Sequence, residues 1–206
     1  FVSGFGAQSA PTDAPFVDIK SWPQLDWDTV SERFGMQRDA FERFVPASEH
    51  PNYASWATAT QEYQAELLKH HIEALRKIKY SPNGGFCFLM LADAQPCIGY
   101  GIYDHNRVPK RAVEVVRAAC AEVIVTADAP SEHVLGTEFV TDIHVVSDLP
   151  NAIAEATVTA TLTWSSGSRS WAWQGAIDAD VCAKVGSIAL VISAAGDARL
   201  DLHLTG

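Results

Sequence analysis

Residues 156–164 read ATVTATLTW, and their alternation decides the second half of the chain. Successive side chains of an extended strand point to opposite faces. Val158, Ala160, Leu162 and Trp164 therefore share one face, and Thr157, Thr159, Thr161 and Thr163 share the other. One face suits a core and the other suits water. Downstream, SSGS at 165–168 is a turn, RSWAWQG at 169–175 repeats the alternation with Trp171 and Trp173, and SIALVIS and RLDLHL supply two further strands. Upstream lies FVTDIHVVSD at 139–148. At least five short strands, at roughly 8 to 12 residue spacing, predict an antiparallel immunoglobulin-like β-sandwich.

Working back from this segment, the pattern changes at 126–135, which predicts a domain of residues 1–125 and a second of residues 126–206. Before the change the periods are helical or those of a buried strand. Residues 58–79, TATQEYQAELLKHHIEALRKIK, form a helix with Tyr63, Leu67, Leu68, Ile72, Leu75 and Ile78 as its apolar stripe. SPNGG at 81–85 stops it. Gly85–Ala92 is apolar on both faces, as in a parallel strand covered on each side. Residues 110–120 place Ala112, Val115, Val116, Ala119 and Cys120 at helical spacing. Between Asp18 and His50, Asp28 or Ser31 is the expected cap of short helices, and Trp22 and Trp27 pack on a neighbouring surface.

With 206 residues and 48% hydrophobic composition, the chain can bury one or two cores. Its formal charge of -10 opposes a phosphate backbone, so nucleic acid is not an expected partner. The longest apolar run, GGFCFLMLA, is far short of the roughly 20 residues a membrane helix needs. No basic stretch precedes an apolar run at the start, so no membrane partner is expected and a cytoplasmic chain is, with secretion as the alternative. Cys87, Cys97, Cys120 and Cys182 are widely spaced among apolar neighbours and read as buried thiols; no metal site and no cofactor is expected. Phe1 stands where an initiating Met is usual, which points to a processed chain, a split gene or a truncated sequence.

Several motifs in order carry a resemblance. FVSGFGAQS at the start, QAELLKHHIEALRKIKY, GGFCFLMLAD, YDHNRVPK, TDIHVVSDLP, TVTATLTW and SWAWQG resemble the C-terminal region of β-mannosidase-like enzymes of glycoside hydrolase family 2. The resemblance covers nearly the whole chain. It implies an α/β part, the last two βα units of a (β/α)8 TIM barrel, followed by the all-β sandwich, with barrel strands one to six supplied by missing sequence or by a partner chain. It implies a β-glycoside substrate. Retaining glycosidases use two carboxyl groups about 5 to 5.5 Å apart, one attacking the anomeric carbon and one protonating the leaving oxygen. The family's nucleophile is the Glu of a SEFG segment, and Gly4 occupies that position; its acid/base Glu belongs to strand four. The resemblance therefore implies a chain inactive by itself. It also places Leu89 and Gln95 where other family members carry tryptophans, puts Ala92 in place of an Asn, and assigns substrate contacts to Asp93, Gln95 and Gln8.

Each of these positions has a plainer reading. Gly4 and Gly6 also suit a tight turn, and Asp93 at a strand end also suits a turn cap. Adjacent helical positions such as His70 and His71 point about 100° apart and do not share an ion. Asp104 and His105 read as loop structure, and Trp164, Trp171 and Trp173 as core rather than a sugar platform. Three functions follow: a catalytically silent section of a β-mannoside-type hydrolase, a separately made subunit that completes a barrel, or a carbohydrate-binding or interaction module.

Overall fold

Asn52 sets the start of the longest helix, its side-chain oxygen accepting from the Ser55 backbone N–H at 2.9 Å. The structure, a computed structural model, describes residues 1–128, 130 and 132–206. Two of the residues at the expected change of pattern, Ala129 and Ser131, lie outside the described residues. Mixed helix and sheet form two compact units, Phe1–Leu75 with Asn83–Ala119, and Arg76–Pro82 with Cys120–Gly206.

In the first unit a two-stranded parallel pair joins β1, Val2–Ser3, to β2, Phe86–Cys87. Between them in sequence lie α1 (Trp27–Phe34), α2 (Arg38–Phe44), a short 3-10 turn and α3 (Tyr53–Lys77). Helix α4 (Ala112–Ala119) follows β2. The early start of α3, five residues ahead of Thr58, carries Trp56 to the centre of an aromatic core, where Trp22, Trp27, Phe41 and Tyr53 pack around it. The expected packing of Trp22 and Trp27 is thus realised on Trp56. Asp26, rather than Asp28 or Ser31, caps α1: its carboxylate accepts from the Thr29 N–H at 3.1 Å, and the two expected caps lie inside the helix. Leu68 and Ile72 of α3, with Ile102, Ala112, Val113 and Val116, make a second core. Fully burying a side chain of the size of Leu68 or Ile72, both at 0% exposure, contributes about 1.5 to 3 kcal/mol.

Gly85–Ala92 departs from the expected two-faced strand. Only Phe86–Cys87 is laddered as strand, and Leu89, Met90 and Leu91 are 44%, 40% and 66% exposed. The Leu89 N–H still donates to Phe5 O at 2.8 Å, and residues 90–93 then bond to 100–103 through Met90 N to Tyr100 O and Tyr103 N to Leu91 O. An unbroken apolar run says only that side chains avoid water somewhere; it does not fix which backbone they pair with.

The second unit has two three-stranded antiparallel sheets. One orders β3 (Val123–Ala127), β4 (Glu138–Ser147) and β7 (Cys182–Val191); the other orders β6 (Gly167–Ile177), β5 (Ile153–Trp164) and β8 (Ala198–Thr205). β3 begins ahead of residue 126. In β5, Val158, Ala160 and Leu162 are 2%, 0% and 4% exposed, and Ala160 is paired with Trp171 and Leu202. They share one core with Phe139, Ile143, Val145 and Ile188 of the facing sheet, as in a β-sandwich. Among the described residues no helix is long and apolar enough to cross a membrane.

Candidate functional site

The chain leaving β1 passes through Gly4 to Gln8 and is held along its length by α3. Thr60, Gln61 and Gln64 project from one side of that helix and are all buried. Thr60 Oγ1 accepts from Ala10 N at 3.0 Å, Gln61 Nε2 donates to Ala10 O at 2.9 Å, and Gln64 Nε2 donates to Ala7 O at 2.9 Å and Tyr100 O at 3.0 Å. Ser9 Oγ donates to Gln64 Oε1 at 2.8 Å. An irregular segment buried against a helix must satisfy its peptide groups somewhere, and these amide side chains do it.

Residues 9, 93 and 99 converge on one ammonium group. Lys110 Nζ donates to Asp93 Oδ2 at 2.9 Å, Ser9 O at 3.1 Å and Gly99 O at 3.4 Å, using all three of its protons. The other carboxylate oxygen, Asp93 Oδ1, accepts from Gly101 N at 2.8 Å. Both charged side chains are 2% exposed. Gly101 must be glycine, because a Cβ there would run into the Asp93 backbone. Arg107 Nη1 donates to Asp93 O at 3.1 Å and closes the cluster from the following loop. Burial, together with the Asp93 carboxylate, pushes the Cys97 thiol up to about 11, so it is protonated at neutral pH.

The four residues singled out in sequence are placed differently from one another. Gly4 is exposed with a φ of 135°, in the region that favours glycine, and an added Cβ would meet only Leu89. Gln8 is half-buried, donating to Gly35 O and accepting from Gln37 N, each at 2.7 Å. Gln95 is exposed, without a hydrogen-bonding partner among the described residues. Asp93 is engaged by the buried Lys110, a role the sequence reading did not contain. Gln61, Gln64 and Lys110 were also missed; a Thr-Gln-x-x-Gln run on one helix side was their only local signal.

Elsewhere the plainer readings hold. Asp104 accepts from Asn106 N at 2.8 Å and Val108 N at 2.9 Å, the hydrogen bonds of a side-chain turn. His71 stacks on Phe5 at 5.2 Å and bonds Leu67 O through Nδ1. Trp164, Trp171 and Trp173 are half-buried against the sandwich core. Cys87 and Cys120 are exposed, against the expectation of buried thiols. Among the described residues no group of three or more His, Cys, Asp or Glu is placed to hold a metal ion.

No family model matches the sequence, and no curated protein matches it. The structure superposes on part of a β-D-mannosidase from Dictyoglomus thermophilum with a TM-score of 0.72 at 18% identity, covering 99% of this chain and 27% of that one. The fold is shared with part of a glycoside hydrolase. An exo-chitosanase, CsxA, from Amycolatopsis orientalis gives a TM-score of 0.65 at 16% identity over 81% of this chain and 19% of that one. The chain thus spans 27% and 19% of the lengths of these two glycosidases, and at such identities the likeness is one of fold.

Proposed function

We propose that the chain is a section of a β-mannosidase-like retaining glycoside hydrolase of family 2, comprising the last two βα units of a (β/α)8 barrel and an immunoglobulin-like sandwich. The observation that carries this reading is the fold likeness to a β-D-mannosidase along 99% of the chain. The parallel register of Val2 with Phe86 and Ser3 with Cys87 supports it, since neighbouring barrel strands run parallel. On this reading Gly4 stands at the C-terminal end of a barrel strand, where the family nucleophile projects, and has no oxygen with which to attack an anomeric carbon. The acid/base carboxyl comes from residues outside this sequence or from a partner chain, so these 206 residues alone do not turn over a β-glycoside. The exposure of Leu89, Met90 and Leu91 supports a cover of that kind.

Within the site, Gln95 and Gln8 are the groups assigned to substrate hydroxyls, and Asp93 positions the segment through Lys110. The purified chain is expected to leave aryl β-D-mannosides unhydrolysed and to take no covalent label from 2-fluoro-glycosides. Turnover by pure material would overturn the assignment. Supplying the six missing barrel strands together with Gly4→Glu is expected to restore hydrolysis; failure of the complete assembly would argue against a glycosidase altogether.

A further inference from the structure

We propose that the free edge of β6 pairs with the β6 edge of a second copy of this chain, so that two three-stranded sheets become one continuous sheet. β6 is the outer strand of its sheet and is laddered to β5 alone. An open strand edge presents a row of N–H and C=O groups to any other extended chain, and proteins blunt such edges with charges, bulges or shortness. The other edge strands of the second unit carry these devices. β8 has Arg199, Asp201 and His203 on its outer face, β7 has Lys184 beside a shift of register, and β3 is five residues long. β6 is 11 residues long, and from Ser170 to Ile177, SWAWQGAI, it holds no charge and no proline.

The strand is complementary to itself. Antiparallel overlap of Gly167–Ile177 with its own copy, along the whole strand, sets Ala172 opposite its symmetry mate, Trp171 opposite Trp173, Ser170 opposite Gln174 and Arg169 opposite Gly175. No charge then faces a like charge, and the two inner-face tryptophans form cross-strand aromatic pairs on either side of the axis. A two-fold contact needs one patch to serve both sides, and this one does. Two chains of formal charge -10 repel each other, so they associate best where acidic groups are missing. Residues 156–177, which include β6 and most of β5, contain no Asp or Glu.

Space for the incoming side chains lies beside the edge. β6 faces β7 across one open side of the sandwich, where the Trp173 indole lies against Gly186. Next to it a slot of about 210 Å³ runs between residues 173–177 of β6 and 183–185 of β7. That exceeds the ~150 Å³ of an engineered cavity that admits benzene. Its rim is accessible: Gln174, Gly175 and Ala176 are exposed, and Trp173 and Val185 are half-buried. Gly175 puts no side chain there, and the residue set opposite it is Arg169, whose guanidinium stacks on Trp171 at 5.3 Å. Lys184 on the facing strand is held by Asp142 at 2.9 Å, so the arginine does not meet a bare cation. Neither Gly4 nor hydrolysis enters this pairing.

Sedimentation velocity of the full chain over a micromolar dilution series tests this. Wild type is expected to form a dimer. Ala172→Lys and Ala172→Glu, each at an exposed position at the centre of β6, are each expected to weaken dimerisation about tenfold or more, because like charges then meet at the symmetry axis. An equimolar mixture of the two variants is expected to dimerise again, a recovery that misfolding of either one would not allow. A monomeric wild type, a dimer indifferent to both substitutions, or two monomeric variants that stay apart when mixed would overturn the proposal.

Discussion

Lys110 Nζ lies 2.9 Å from Asp93 Oδ2, and neither side chain reaches solvent. Taking both charges out of water is costly, and the pair offsets that cost only while each partner is present. Asp93→Asn and Lys110→Met are each expected to destabilise the first unit by about 3 to 5 kcal/mol, because each leaves a buried charge alone. The double variant is expected to lose much less than the sum. Urea unfolding of the three variants measures this, and simple additivity would show that the two groups do not act together.

Gly4 is a matter of backbone as well as chemistry. At a φ of 135° only glycine is unstrained. Gly4→Ala and Gly4→Glu are each expected to cost about 1 to 3 kcal/mol in thermal or urea unfolding. A Glu in this position therefore needs the segment to relax, and restoring a nucleophile is a test of the assembled barrel rather than of the isolated chain. Unchanged stability in Gly4→Ala would show that the segment adopts an ordinary dihedral.

How much of this was legible in the sequence depended on whether the signal was local. The alternation of Val158, Ala160 and Leu162 was enough to place β5 and its buried face, because a strand's period is a property of the strand itself. The stripe of Leu68 and Ile72 likewise located α3, though its start at Tyr53 depended on the Asn52 cap. Asp93 and Lys110 are 17 residues apart, and nothing in their spacing announces a pair; the meeting follows from how the chain closes on Gly99 and Gly101. Gln61 and Gln64 lie outside the apolar stripe of α3, and amides on a helix usually face solvent, whereas here irregular backbone at residues 7–10 requires them.

His144 supplies a pH-dependent term in the second unit. Its Nδ1 is buried without a hydrogen-bonding partner among the described residues, and burial, then the nearby Lys77, holds the imidazole below its usual value; Asp142 and Asp128 oppose this and Lys184 adds to it. A base whose folded value is depressed binds fewer protons folded than unfolded. Its contribution is therefore present above about pH 6.5 and is lost as the pH falls through the lower folded value. Stability is expected to decline as the pH falls from neutral through the lower folded value, and His144→Asn to flatten that decline. Equal slopes in the two proteins would remove His144 as the cause.

Lys79 ties the short segment Arg76–Pro82 to the ends of the β-strands. Its Nζ donates to Ser147 O and Asp148 Oδ1, each at 2.7 Å, and to Asp180 Oδ1 at 2.8 Å, while Tyr80 Oη donates to the second Asp180 oxygen at 2.9 Å. The Lys79 ammonium, then the Tyr80 hydroxyl, holds the Asp180 carboxyl below the usual carboxylate range. A carboxylate with a depressed folded value contributes stability above its unfolded value, near pH 4, and loses it as the pH falls through the folded one. The acids are half exposed, so solvent screens the pairs, and Lys79→Met is expected to cost only about 1 kcal/mol at pH 7. The difference from wild type should shrink below about pH 4, as the Asp180 carboxylate protonates and the ammonium loses that partner. Asp180→Asn should reproduce part of that acid dependence with Lys79 still held by Ser147 and Asp148. A Lys79→Met deficit that stays constant from pH 7 to pH 2.5 would assign the lysine's role to packing of its aliphatic stem instead.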